Sequence, residues 1–353
     1  MNADPLVIPA SELLHFCTGL LAASDLSSAD AHRVADSLVH ANLRGVDSHG
    51  IARLPHYLTR LALGSINARP CLSFDRLGPS VGRLEGDHGP GQVVQWRATQ
   101  EVVSLARETG AGWVTLRNST HCGALDYYGL EIARQGMIGL VFTHVDPMVL
   151  PQGGRVPFSG TNPICITAPG EGGQIFCLDM ATSIVAWNEV GNAAIEGRSI
   201  PSGWAVDAEG RDTTDPNSVA ALYPFGGHKG AGLGLAIDIL CSMLSGAPYG
   251  PDVPKMYGDL TTRRYLGGMV GAIDIARFVP LDTVRSRITE MLCRWNRTLP
   301  MEPGGRVLYP GEPEEIMART RAAEGIPIPC AVVAQLDGLC VERGWKTLSE
   351  SLS

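Results

Sequence analysis

Two stretches of the chain combine an imidazole with groups that can hold an anion. The first is Ser48-His49-Gly50-Ile51-Ala52-Arg53. Gly50 offers a helix start, which predicts His49 at the helix N-terminus and Arg53 one turn later on the same face. An Arg there supplies a two-pronged fork for a carboxylate, and an imidazole titrates near neutrality and can pass a proton. The same letters also fit a plain cap by Ser48 and a surface Arg53. The second stretch is Arg117-Asn118-Ser119-Thr120-His121-Cys122-Gly123-Ala124. A strand is expected to end here and a helix to begin, with free backbone N–H groups that favour phosphate or carboxylate. A helix N-terminus would also lower the pKa of His121. A satisfied loop histidine beside a Ser/Thr cap reads equally well. Gly160-Thr161-Asn162-Pro163, Leu178 to Ser183 and Gly226-Gly227-His228-Lys229-Gly230 are further polar, Gly-bearing clusters beside apolar runs, where ligand loops are often placed.

These clusters do not form a standard nucleotide fingerprint. Gly89-Pro90-Gly91 has Val94 where a third Gly is needed, and Gly230-Ala231-Gly232 has Leu235. No G-x-x-x-x-G-K-[ST] loop occurs. The nine histidines show no H-E-x-x-H, and the nine cysteines show no C-x-x-C, which argues against a metal hydrolase, a zinc site or a disulfide framework. With 28 basic and 36 acidic residues the net charge is −8, unlike a nucleic-acid binder. The N-terminus lacks a basic, apolar leader. The greasiest run, Ala231 to Ala247, is broken by Asp238 and several glycines, so no membrane span is expected. A reducing cytoplasm is the expected location.

The elements that must position these groups follow from periodicity. Helical spacing appears behind Ser11, after Ser27-Ser28-Ala29-Asp30 (a capping box with Asp in place of Glu), and over Leu54, Tyr57, Leu58 and Leu61. Strand-like runs follow at Trp113–Leu116, Ile138–Thr143, Ile164–Thr167 and Ile175–Leu178. They alternate with helices at Gln92–Glu108, Ala124–Gln135 and Ala231–Leu244. The tail reads as helix at Glu314–Glu324 and Pro329–Glu342. The expected architecture is α/β. Residues 1–75, joined by 312–353, form a helical lobe around a central α/β lobe of residues 76–311 that binds the nucleotide and carries the chemistry.

Taken in order, the segments closely resemble the type-2 malate/L-lactate dehydrogenase family. They are Arg44-Gly-Val-Asp-Ser-His-Gly50, Ser119-Thr-His-Cys-Gly123, Pro151-Gln-Gly-Gly154, Gly160-Thr-Asn-Pro163, Asp179-Met-Ala-Thr-Ser183, Trp204-Ala-Val-Asp207, Thr213-Thr-Asp-Pro216, Gly227-His-Lys-Gly230 and Pro310-Gly-Glu312. The resemblance spans nearly the whole chain. It implies a homodimeric oxidoreductase using NAD, or alternatively NADP, on a non-Rossmann nucleotide fold. The substrate would be a small 2-hydroxy or 2-oxo acid, or a cyclic 2-imino acid. Asp146-Pro-Met-Val149, Ala168 to Gly172, Ser199-Ile-Pro201 through Trp204-Ala-Val-Asp207, Met256 to Leu260 and Ala323 to Ile326 resemble the ureidoglycolate branch most.

In that branch His121 resembles the catalytic acid/base. Cofactor contacts would fall at His121, Cys122, Gly123, Ala124, Asp179, Met180, Ala181, His228 and Lys229, and along Gly304, Gly305, Arg306, Val307, Leu308 and Tyr309. The ketimine reductase branch implies a different set: Ser48 and His49 as proton relay and donor, completed by Glu189, with Arg53 and Thr161 on the substrate. The chain departs from many members at Asn188-Glu189, where they read Gly-Lys, and at Cys122, where Phe or Ser is commoner. A non-catalytic small-molecule binder is the competing class, and it would not need both His49 and His121.

Overall fold

The computed structural model describes residues 5–351. The chain opens with a short strand, β1 (Leu6–Ile8), and two helices, α1 (Ala10–Ala23) and α2 (Ser28–Leu43). Ser27 caps α2 as its letters suggest. Its Oγ accepts from the Asp30 amide at 3.1 Å and donates to the Asp30 carboxylate at 2.7 Å, so the shorter Asp meets the Ser27 hydroxyl instead of the Ser27 amide that a Glu reaches in a capping box. Gly50 does not start a helix. Asp47–His49 and Ile51–Arg53 form two consecutive 3-10 turns, and α3 (Leu54–Ala62) begins only afterwards, with Pro55 in its first turn.

The sheet strands are β2 (Ser73–Arg76), β3 (Val81–Glu85), β4 (Ala111–Ser119), β5 (Met137–Thr143), β6 (Ile164–Pro169) and β7 (Ile175–Met180). Helices α4 (Gly91–Thr109) and α5 (Asp126–Arg134) lie between them. Helix α6 (Trp187–Ile195) packs over a small sheet of β8 (Ala205–Val206), β9 (Asp212–Thr213) and β10 (Ala221–Leu222). Next come α7 (His228–Asp238), continued as a π-helical turn over Ile239–Met243, and β11 (Leu266–Asp274). Helices α8 (Leu281–Asn296) and α9 (Glu312–Glu324), strand β12 (Ile326–Ile328), α10 (Cys330–Glu342) and α11 (Leu348–Ser351) complete the chain.

The large sheet runs β2-β3-β4-β11-β5-β6-β7, and only β3 and β4 pair in parallel. It is therefore an α/β fold without the parallel, doubly wound sheet of a Rossmann domain, consistent with the missing fingerprint. Helices α4 and α5 cover one face around Val94, Ala98, Val102, Val114, Tyr128 and Val141. Helix α7 and its π-helical turn cover the other, through Ile237 and Cys241 against Phe142 and Met269.

The central strand β11 escaped the sequence reading. It carries Gly267, Gly268 and Gly271 and is buried on both faces over most of its length, so no alternation marks it. A Cβ on Gly271 would lie 2.3 Å from the Trp113 ring, so the glycine makes room for an aromatic side chain on β4.

The two chain ends meet. β1 pairs antiparallel with β12 in the register Leu6↔Ile328, Val7↔Pro327 and Ile8↔Ile326. Leu13, Leu21, Leu38, Leu54 and Leu58 then share one core with Ile326, Leu336, Cys340 and Leu348. Cys17, Cys71, Cys122, Cys165, Cys177, Cys241, Cys293 and Cys340 are free thiols. No helix among the described residues is long and apolar enough to cross a membrane.

Candidate active site

The site lies where the helical core meets the edge of the sheet. A cleft of about 340 Å³ is lined by Ser48, His49 and Arg53 from the two 3-10 turns and by His121, Gly123 and Ala124 from the loop after β4. Thr161, the run Asp179–Ala181 at the end of β7, Asn188 of α6, Tyr257, and Pro310-Gly311 complete it.

His121 is placed by the geometry around it. Gly91 opens α4 directly against this loop: a Cβ there would lie 2.3 Å from Thr120 O and 2.5 Å from His121 O. The Gly91 amide donates to Thr120 Oγ1 at 2.8 Å, tying the loop to the helix start. His121 Nδ1 lies 2.6 Å from the Tyr57 hydroxyl and accepts from the Gly123 amide at 3.3 Å. A backbone donor aimed at Nδ1 favours the neutral tautomer with its proton on Nε2. His49 stacks on His121, with ring centroids 5.5 Å apart, and its Nδ1 lies 2.8 Å from Ser48 Oγ.

Both imidazoles are held neutral. Burial, reinforced by the Arg53 charge, pushes His49 down to about 4. Burial, followed by the neighbouring His49 and Arg53, takes His121 well below its ordinary value. The helix N-terminus expected to depress His121 is not the cause. Helix α5 starts only at Asp126, and the Asp126 amide is taken by Asp179 Oδ2 at 2.8 Å. That helix end does bind a carboxylate, but the protein's own.

Beneath it, Asp126 accepts from Arg44 Nε at 2.5 Å and lies 3.3 Å from His40 Nε2. Burial opposes ionisation of Asp126, but His40 and Arg44 outweigh it and hold the carboxyl at about 2. Asp179 moves the other way, to about 7, from its enclosed position and the Asp126 charge, although part of its surface opens to the cleft.

Arg53 is fixed by uncharged groups. Its Nε donates to Ser48 O at 2.6 Å, one terminal nitrogen to Asn188 Oδ1 at 2.7 Å and the other to the Tyr257 hydroxyl. Tyr257 sits on a loop that Arg60 holds from α3, with donation to the carbonyls of Met256 at 2.8 Å and Thr262 at 2.9 Å. Arg264 and Asp146 pair at 2.5 Å behind it, and Asp146 also accepts from the Met256 amide.

Ser48, His49, Arg53, His121, Gly123, Ala124, Thr161, Asp179, Met180 and Ala181 thus meet in one cleft. Other expected site residues lie elsewhere. Glu189 is exposed on α6 and outside the lining, because one residue along a helix turns a side chain by about 100° and here brings Asn188 inward. Cys122 is buried behind the wall, where burial raises its thiol to about 12. His228 and Lys229 open α7, exposed and outside the lining. Gly304, Gly305 and Arg306 are exposed, and Val307 and Leu308 half-buried, in a loop outside the lining. Tyr309 lines a neighbouring cavity of about 920 Å³ on the far side of Gly311.

The loop reaches the cleft one step later, through Pro310 and Gly311. Gly311 has φ +93° and packs so closely on Cys177 that a Cβ would lie 2.8 Å from the Cys177 Cβ, and Pro310 O accepts the Cys177 amide. The motif Pro310-Gly-Glu312 was the signal for this contact. Asn188 was marked only as a departure beside Glu189 and Tyr257 only as part of the segment Met256 to Leu260, and Tyr57 carried no signal of a site residue.

A cleft with paired imidazoles, a fixed guanidinium and an adjacent strand edge defines a candidate enzyme for small anionic substrates. The malate/L-lactate dehydrogenase family model matches residues 8–337 of the chain. The chain is 37% identical over 308 residues to the ureidoglycolate dehydrogenase (NAD(+)) of Escherichia coli, covering 87% of this chain and 88% of that one. It is also 37% identical over 351 residues to a malate dehydrogenase of Pyrococcus abyssi, covering 97% and 96%. The structure of a sulfolactate dehydrogenase from Methanocaldococcus jannaschii superposes with a TM-score of 0.91 at 33% identity, covering 99% of this chain and all of that one. The chain belongs to the malate/L-lactate dehydrogenase family, and it is a dehydrogenase of the kind that acts on a CH–OH group.

Proposed function

We propose that this protein oxidises and reduces a small 2-hydroxy/2-oxo acid with NAD or NADP, using Arg53 to hold the carboxylate and His121 to carry the proton. The observation that carries the reading is the cleft shared by His121 and Arg53, with every hydrogen-bond partner of Arg53 uncharged. A guanidinium in that state is prepared for an incoming carboxylate.

The residues present fit a nicotinamide cofactor. β7 is the edge strand of the sheet, its outer row is engaged at Cys177 by Pro310 O, and its end at Asp179–Ala181 lines the cleft. Those residues, with Gly123-Ala124 and Pro310-Gly311, would hold it. When bound, the nicotinamide supplies the hydride. His121 Nε2, in the tautomer favoured by the Gly123 amide, donates its proton to the substrate carbonyl oxygen during reduction and takes it back during oxidation. Tyr57 steadies the ring throughout. Thr161 and Ser48 line the substrate end, and Asn188 and Tyr257 keep Arg53 aimed.

Purified protein should change the nicotinamide absorbance band when given ureidoglycolate, malate, lactate or sulfolactate with one of the two cofactors. No change with any acid and either cofactor would refute the reading.

The Ser48–His49 hydrogen bond supports a second reading, reduction of cyclic 2-imino acids with His49 as donor. The acidic partner assigned to that scheme, Glu189, faces solvent. Piperideine- and pyrroline-carboxylate run reductively separate the two readings, since the second requires turnover that dies with His49→Ala and survives His121→Ala. Assembly as a cytoplasmic homodimer belongs to the same proposal. The exposed apolar side chains Leu235, Ile239, Met243 and Leu244 along α7 and its π-helical turn support the dimer, and light scattering on the purified chain tests it.

A further inference from the structure

The charges that line the cleft limit the charge a substrate can bring. Among the described lining residues the guanidinium groups are Arg44 and Arg53, and the carboxyl groups are Asp126, Asp179 and Glu314. Arg44 is bound to Asp126 at 2.5 Å and lies 3.7 Å from Glu315. His49 and His121 are held neutral. Arg53 therefore remains the one cation whose partners are all neutral: Ser48 O, Asn188 Oδ1 and the Tyr257 hydroxyl. Those partners use three of its five N–H groups. The two left are the number that one carboxylate engages.

The side chains around Arg53 have donors to spare but no second positive charge. The Tyr257 hydroxyl accepts from Arg53, so its own proton is free to donate. Asn188 accepts from Arg53 through Oδ1, and its amide nitrogen is only loosely engaged, 3.4 Å from Ser48 O. A substituent beside the reacting carbon would meet neutral donors, and the remaining ionisable groups of the lining, Asp179 and Glu314, are acidic and offer an anion no partner. A second carboxylate or a sulfonate would be desolvated without a partner.

Resting on the reading that Arg53 takes the substrate carboxylate, we propose that Asn188, together with Tyr257, makes this protein selective for monoanionic 2-hydroxy acids. The favoured substrate carries one carboxylate and an uncharged substituent that accepts hydrogen bonds, such as an amide carbonyl or a hydroxyl. Dianionic acids are discriminated against. The relatives named for malate and sulfolactate handle dianions, so this chain departs from them at the substituent end of the cleft.

The test compares kcat/KM of the intact enzyme, with its better cofactor, for monoanions (lactate, 2-hydroxybutyrate, ureidoglycolate) and dianions (malate, sulfolactate). The expected wild-type preference for the monoanions is about tenfold or more, the scale that one unpaired buried charge imposes. Asn188→Lys places an ammonium among these donors and should raise the dianion-to-monoanion ratio by about tenfold. Asn188→Gly removes the amide and should erase the advantage of ureidoglycolate over lactate, which keeps the test decisive if the Lys variant does not fold. Equal or better use of dianions by the wild type, or a ratio that neither variant moves, overturns the selectivity while leaving the dehydrogenase reading intact. Turnover of none of the five acids with either cofactor overturns the underlying reading, and the selectivity with it.

Discussion

The Tyr57 hydroxyl lies 2.6 Å from Nδ1 of His121, on the side of the ring where the Gly123 amide also donates. Burial raises the Tyr57 phenol well above its ordinary value, so it stays protonated and can only share its proton with the imidazole. It acts through His121. Tyr57→Phe should therefore lower kcat by about tenfold while KM changes little, the scale of losing a partner that orients a reacting group. His121→Ala should cost roughly 10²–10⁴ in kcat. Steady-state kinetics with a pH profile checks both. A Phe variant that raises KM alone and leaves the acid limb unmoved would place Tyr57 on the substrate instead.

Arg53 is prepared for a carboxylate by three neutral acceptors. Arg53→Ala should reduce kcat/KM for the best acid by about 10–100-fold, the value of a charged hydrogen-bonded pair. Arg53→Lys should recover little, because an ammonium cannot reach Ser48 O, Asn188 and Tyr257 while also presenting two parallel donors. Full rescue by Lys would show that only the charge matters.

Glu189→Gln should leave turnover within about twofold, because the carboxylate is exposed outside the cleft lining. A large loss of imino-acid reduction in this variant would show that α6 turns on substrate binding and would favour the second reading.

What was legible in the sequence was local. Asp47 to Arg53 and Ser119 to Ala124 reach the cleft as short continuous segments, so their letters travel together. The α2 cap could be read because Ser27 and Asp30 are three residues apart. What was not legible depended on phase or on distant partners. Tyr57 fits the apolar face of α3 as well as any Leu, and only the fold brings His121 beside it. Asn188 and Glu189 differ by one step at a helix start that no cap marks. The loop of residues 304–311 has no period to set which of its residues meet the cleft, and Gly311 rather than Gly304 packs on β7. Strand β11 was hidden because its glycines accommodate neighbours such as Trp113 instead of alternating with polar residues.

Acid should begin to destabilise the protein near pH 6.5, above the range where ordinary carboxylates titrate. Burial lowers His49 and His56 to about 4, holds His121 well below its ordinary value and lowers His88 in the same direction. The unfolded chain binds protons at these sites near pH 6.5, whereas the folded chain does not, so unfolding takes up protons and stability falls as pH drops from about 6.5 toward 4. Asp179, raised to about 7, acts in the opposite sense, since there the folded state holds the proton that the unfolded state releases. Four imidazoles against one carboxyl leave the sign with the histidines. Urea midpoints should fall steadily between pH 6.5 and 4, and a flat profile would mean that the imidazoles are protonated in the folded protein.

Arg60 should prove the costliest single residue on the helical side of the site. It is 2% exposed, and its guanidinium binds the backbone oxygens of Met256 and Thr262 at normal distances and reaches Leu260 O at 3.3 Å. Ser65 Oγ donates to the same Leu260 carbonyl at 2.6 Å, so this loop is closed by side chains rather than by a sheet. Arg60→Met would fill part of the volume but strand the buried Met256 carbonyl and take a donor from the less buried Leu260 and Thr262 carbonyls, so a loss of about 1–3 kcal/mol in urea unfolding is expected. Arg60→Lys should recover only part of it, since three donors on one nitrogen cannot span carbonyls that a planar fork reaches. The loop also carries Tyr257, which helps aim Arg53, so the same variants should raise KM more than they lower kcat, and hydrogen exchange should quicken across residues 255–262. A variant as stable as the wild type, with unchanged KM, would show that the loop is held by its own backbone and that Arg60 only fills space.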